Sequence, residues 1–169
     1  MFAEEPVLNE VMSGYTGQVN LYGGEIELQA KTNGSTVNTN KFFNGDINLS
    51  SGTLNILNNA IDNITVSTWT STANANLKFD TDLSNNTSDN FTIMNNATGT
   101  LNLTAINILG VDGDSGQITL FTNEKSPELN VLTTANYGGN EYTFTNSGIL
   151  GVLNYCLLYL SILILLHYL

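Results

Sequence analysis

Through most of the chain, apolar residues come in pairs separated by one polar residue, with a glycine two positions before the first. The stretch "GDINLSSGTLNIL" holds two such units, Gly45-Asp-Ile-Asn-Leu49 and Gly52-Thr-Leu-Asn-Ile56. Others are Gly17-Gln-Val-Asn-Leu21, Gly24-Glu-Ile-Glu-Leu28, Gly99-Thr-Leu-Asn-Leu103 and Gly116-Gln-Ile-Thr-Leu120. Alternation with period two puts both apolar residues of a unit on one face of a short strand. Between Leu49 and Leu54 the parity flips, at Ser50-Ser51-Gly52. A strand, a bend and a second strand would keep both apolar pairs inward, and glycine tolerates the backbone such a corner needs.

The double unit from Gly17 to Leu28 returns from Gly45 to Ile56, displaced by 28 residues. A fixed displacement of that size marks a repeat architecture, with each unit forming one coil around a shared core. The expected inward residues are Val19, Leu21, Ile26, Leu28, Ile47, Leu49, Leu54, Ile56, Leu101, Leu103, Ile118 and Leu120. The expected corner residues are Gly17, Gly24, Gly45, Gly52, Gly99 and Gly116. Further short strands are predicted at Ile64–Trp69, Asn76–Phe79, Phe91–Met94, Ala105–Leu109, Asn130–Leu132 and Tyr142–Thr145, between clusters of Asn, Thr, Ser and Gly. After residue 60 the spacing breaks. Loops of variable length, such as "FDTDLSNNTSDN", account for this. The fold class is therefore all-β, a right-handed parallel β-helix of about five coils at ~25 residues and ~4.8 Å each. A β-sandwich is the alternative.

The organisation follows as a poorly ordered segment 1–14, solenoid repeats 15–146 and a hydrophobic tail 147–169. Ile149 to Leu169 contains no Asp, Glu, Lys or Arg over 21 residues. As a helix it would be about 32 Å long, enough to cross a bilayer. A C-terminal membrane helix is the expectation, with an out-of-frame or truncated end as the competing reading. A lipid-anchor signal after Asn146-Ser147-Gly148 would lack its polar spacer.

Composition narrows the function classes. Four Lys and no Arg stand against 15 Asp plus Glu, a formal net charge of −11. Nucleic-acid binding needs a cationic footprint and is excluded as an expectation. Asn and Thr make up more than a quarter of the chain, which disfavours helices and suits turns and stacked ladders. The one cysteine, Cys156, allows neither a disulfide framework nor a thiolate metal cluster. "MFAEEPVLNEVMSGYTG" has no basic start and no apolar run, so it does not read as a signal peptide, and an exported protein would begin further upstream.

Candidate chemistry is sparse. The only histidine, His167, stands in the apolar tail and gives His-based catalysis or zinc binding no partner. The carboxylate pairs Glu25/Glu27, Asp80/Asp82 and Asp112/Asp114 have i, i+2 spacing and are expected on the solvated outer face. Asp112 and Asp114, in "DGDSG", are weak calcium candidates, because an EF-hand frame from Asp112 reaches Asn123 at its twelfth position in place of glutamate. Thr-x-Thr pairs such as Thr68/Thr70 and Thr98/Thr100 are too irregular for an ice-binding face. Sequons at Asn63, Asn90 and six other asparagines are close to what this composition produces by chance. No cofactor is expected.

The segments "GQVNLYGGEIEL", "GDINLSSGTLNIL" and "GTLNLTAINIL" make the chain similar to the passenger region of bacterial autotransporters and haemagglutinin-type adhesins. "GGEI" at Gly23 to Ile26 faintly resembles the Gly-Gly-Ala-Ile repeat of polymorphic outer-membrane proteins. The resemblance implies surface display, adhesion or scaffolding at the cell surface or outer membrane, or outside the cell, without catalytic residues. The implied partner is a glycan or protein on a host or neighbouring cell, with membrane contact through residues 149–169. The alternatives are a tailspike-like β-helix that binds or processes carbohydrate, and a truncated passenger fragment without independent function.

Overall fold

A computed structural model describes residues 17–27, 31–33, 36–38, 40–122, 125–131 and 134–158, with side chains described for 17–27 and from residue 45 onward. Fourteen strands run through the described residues. They are β1 (Gln18–Glu27), β2 (Lys31–Asn33), β3 (Thr36–Asn38), β4 (Asn40–Asn55), β5 (Asn63–Ser71), β6 (Ala75–Asp82) and β7 (Thr87–Ser88). There follow β8 (Asn90–Gly110), β9 (Ser115–Thr119), β10 (Phe121–Thr122), β11 (Glu128–Asn130), β12 (Thr134–Tyr137), β13 (Asn140–Asn146) and β14 (Val152–Leu157).

The larger sheet has the order β1-β4-β5-β8-β6-β7, with β10 and β11 also against β8. Within it every pairing but that of β6 with β7 is parallel. Gln18 lies opposite Asp46, Asp46 opposite Thr68, and Thr68 opposite Asn96. Each step therefore carries the chain one coil further, and the architecture is a β-solenoid.

Stacking in register puts like beneath like. Ile26, Leu54, Leu77 and Leu103 form one inward row, and all four are buried. Val66 and Ile93 form another. A third row runs Ile64, Phe91, Phe121. The Phe91 and Phe121 rings stack with centroids 5.3 Å apart, and Trp69 meets both edge-on at 5.0 and 5.4 Å. Such offset and T-shaped contacts suit the aromatic quadrupole and add to the burial of large apolar surface.

Strands as long as β4 and β8 turn corners without losing their ladder. Leu49 and Leu54 both point inward although their positions differ in parity, and Gly52 between them has φ +95°. Gly99 plays the same part in β8 at φ +92°. A side chain on Gly99 would stand 1.7 Å from the Ser71 carbonyl oxygen in the adjoining coil.

The end of the chain departs from the sequence expectation. Val152–Leu157 is a strand, not the start of a hydrophobic helix, and no helix among the described residues is long and apolar enough to cross a membrane. The reason lies in its alternation. Leu153 and Tyr155 are buried while Asn154 and Cys156 face outward, and β14 bonds antiparallel to β13 on one side and β9 on the other. With β12 these strands form an antiparallel sheet that packs on the last coil. The Tyr155 hydroxyl closes it, 2.7 Å from Asn86 Oδ1 and 3.0 Å from the Leu83 carbonyl oxygen.

The stack is accordingly shorter than five full coils, since Gly116-Gln-Ile-Thr-Leu120 supplies β9 to this sheet rather than a parallel coil strand. The expectations for residues 1–14, for Leu28, and for the tail beyond Leu158 with His167 lie outside the described residues.

Gly99→Ala should cost at least about 2 kcal/mol, because it combines a left-handed backbone with a clash against a neighbouring coil. Gly113→Ala meets nothing within 4 Å and should stay within about 0.5 kcal/mol of the parent. Urea unfolding of the two variants checks the contrast.

Candidate functional site

The densest polar chemistry of the described residues is a buried corner where β5, β6 and β8 begin or end. Asp62, Asp80 and Asp89 are each fully buried there. Asp62 immediately precedes β5 and Asp89 immediately precedes β8. Asn63 pairs with Asn90, so the two aspartates occupy the same position in successive coils.

Asp89 ties the corner together. Its Oδ1 accepts the Asp62 backbone N–H and its Oδ2 the Asp80 N–H, both at 2.7 Å. The Asp89 N–H donates to the Asp80 carbonyl at 2.9 Å, and the Asn90 N–H to the Asp62 carbonyl at 2.8 Å. Asp80 works outward from β6. Its Oδ2 accepts the N–H groups of Asn58 (2.7 Å) and Asn59 (3.0 Å), and its Oδ1 accepts the Asn107 side-chain amide at 2.5 Å. The Asn58 amide in turn donates to Asp62 Oδ2 at 2.7 Å. The carboxylates thus replace ladder partners for a tight turn in which Asn59 has φ +61°.

Burial pushes the Asp89 carboxyl up to about 8, and the neighbouring negative charges of Asp62 and Asp80 push the same way against its two backbone hydrogen bonds. Buried among carboxylates, it favours its protonated form.

The sequence expectation put Asp80 on the solvated face. The structure corrects this, because at the end of β6 the alternation fails and Phe79, Asp80 and Thr81 are all buried in succession. Asp82 ends β6 against the following turn, bonded by Ser84 and Asn85, which hold its carboxyl below the usual range. Asp112 and Asp114 are exposed on the bend between β8 and β9. No group of three or more His, Cys, Asp or Glu among the described residues is arranged to hold a metal ion.

Glu25 belongs to a different row. Its carboxylate accepts from the Asn55 amide at 2.5 Å and from Lys78 Nζ at 3.0 Å, one and two coils further along the stack. The lysine hydrogen bond holds the Glu25 carboxyl below its usual range. With both side chains about a third exposed, the pair contributes little to stability.

Of the expected inward residues, Leu21, Ile26, Ile47, Leu49, Leu54, Ile56, Leu101, Leu103, Ile118 and Leu120 are buried and Val19 is partly buried. Gly24, Gly52 and Gly99 take positive φ, while Gly116 does not.

A reading centred on glycine passes over the aspartate corner, yet the chain carries a second repeat that marks it. Asp62-Asn-Ile-Thr-Val66 and Asp89-Asn-Phe-Thr-Ile93 match position for position. The Asn63 and Asn90 sequons are part of this Asp-Asn-apolar-Thr-apolar unit. No family model and no curated protein matches the chain.

Asp80→Ala should destabilise by roughly 3 kcal/mol, since it strips the Asn58 and Asn59 N–H groups of their buried acceptor. The double variant Asp112→Ala/Asp114→Ala should leave the unfolding midpoint within about 0.5 kcal/mol of the parent. Equal losses in the two would refute the structural weight given to Asp80.

Proposed function

We propose that the chain is a display element of a bacterial surface protein, an adhesin-like solenoid that presents its outer face to a glycan or protein of another cell. The observation that supports this is the run of polar side chains stacked in rows along the coils. Asn48 donates its amide to Asn20 at 3.0 Å, and Asn130 to Asn102 at 2.9 Å, with Asn76 next in that row. The Thr92 and Thr122 hydroxyls meet at 2.9 Å. Repetition at a ~4.8 Å step turns single hydroxyl and amide groups into an ordered lattice of donors and acceptors. Such a lattice suits the repeating hydroxyls of a polysaccharide or the edge of a peptide. Most contacts hold the array rigid beforehand, so little ordering entropy is lost on binding.

Thr70 and Thr98 are register partners, both exposed and outward on this array. The measurement is binding of the purified full chain to immobilised glycans and to intact cells, with glycan chain length followed in parallel. The double variant Thr70→Lys/Thr98→Lys should lower binding at least tenfold while circular dichroism and the unfolding midpoint stay put. Unchanged binding would remove this face from the reading. Shortening of the glycan by the parent chain would replace display with glycan processing.

A further inference from the structure

We infer that the Asp89 carboxyl, stacked on Asp62 and closed in by Asp80, keeps a bound proton in the folded coil and gives it up when the corner opens. The solenoid's cohesion is thereby linked to pH. Three observations meet in this inference.

The first is geometric. Asp62 and Asp89 occupy one position in adjacent coils, so register alone brings two carboxyls to a single coil step. Asp80 reaches the same place from β6, its N–H on Asp89 Oδ2. The second is burial, since all three side chains are shut off from water. Like charges that close and that buried resist simultaneous ionisation. The third is the set of neighbours. From the turn before β5 come the uncharged Asn58 and Asn59, and from β8 the uncharged Asn107. The charges acting on Asp89 are those of Asp62 and Asp80, both negative.

A proton is the smallest group that relieves this repulsion without breaking the network. The buried Asp89 then holds its proton toward pH 8.

The sign follows from linkage. In the unfolded chain an aspartate releases its proton near the ordinary value of 3.8, whereas the folded Asp89 keeps it to about 8. Between these values the native state binds more protons, so stability falls as pH rises, toward tenfold in the folding equilibrium constant per pH unit for one proton. Glu25 and Asp82 act the opposite way, their carboxyls being held low. Their contribution is lost only as pH falls through and below the ordinary carboxylate range, so among the described carboxyls the window from pH 5 to 8 belongs to the buried corner.

The experiment is carboxyl-carbon NMR of the full chain labelled at aspartate, from pH 5 to 9, with urea unfolding at each pH. One aspartate carboxyl titrating above pH 6, together with a folding constant that falls through the same window, supports the inference. Aspartates all ionised by pH 5.5, or a folding constant flat from 5 to 8, overturns it. Asp89→Asn should abolish the slope whatever it does to absolute stability, and Asp112→Asn should retain it. A slope that survives in Asp89→Asn also overturns the assignment. Should Asp89→Asn fail to fold, Asp62→Asn is the replacement. It removes one charge of the stack and should shift the Asp89 titration to lower pH.

Discussion

Each coil can satisfy its backbone only through the coil beside it. A β-strand in a solenoid donates and accepts along the stack, so a residue's environment is fixed by what occupies the same position one step away. From that constraint the rest follows. Inward residues stack on inward residues, and in the row Ile26, Leu54, Leu77 and Leu103 all four are branched aliphatics. Larger groups cluster together, with Trp69, Phe91 and Phe121 in contact. Polar residues facing outward find copies of themselves as partners, as Asn20 and Asn48 do. The same rule has a cost when the repeated residue is charged, and the stacked Asp62 and Asp89 are that case.

The last coil is covered by the antiparallel sheet of β9 and β12 to β14, whose strands bond to one another rather than onward in the parallel ladder. A bare parallel edge is a template for pairing with another chain, and an antiparallel cover removes that template. Tyr155 anchors this sheet through a polar contact to the turn before β7, and Gly116 leaves room for its ring.

How much of this could be read from the residues depended on which signal was periodic. The glycine double unit and its 28-residue displacement coincide with the pairing of β1 on β4, where Val19 lies opposite Ile47 and Ile26 opposite Leu54. Beyond that the register offset changes, since Asn40 lies opposite Asn63 and Asn63 opposite Asn90. A coil may be shortened or lengthened at a corner without disturbing its strands, so a search for constant spacing fails where pairing persists. The aspartate corner was hidden for another reason. Carboxylates are read as surface groups on composition, and only the paired Asp-Asn-apolar-Thr-apolar units reveal a structural position. In the final segment, overall apolarity masked an alternation over Leu153 and Tyr155 that belongs to a strand.

The aromatic cluster has an optical consequence. Trp69 is the chain's only tryptophan and is fully buried. It lies edge-on to two phenylalanine rings from the next two coils, so its emission reports on three coils at once. Fluorescence of the unlabelled protein is therefore a local reading of the middle of the stack. Any event confined to the surface rows or the capping sheet should leave that signal unmoved.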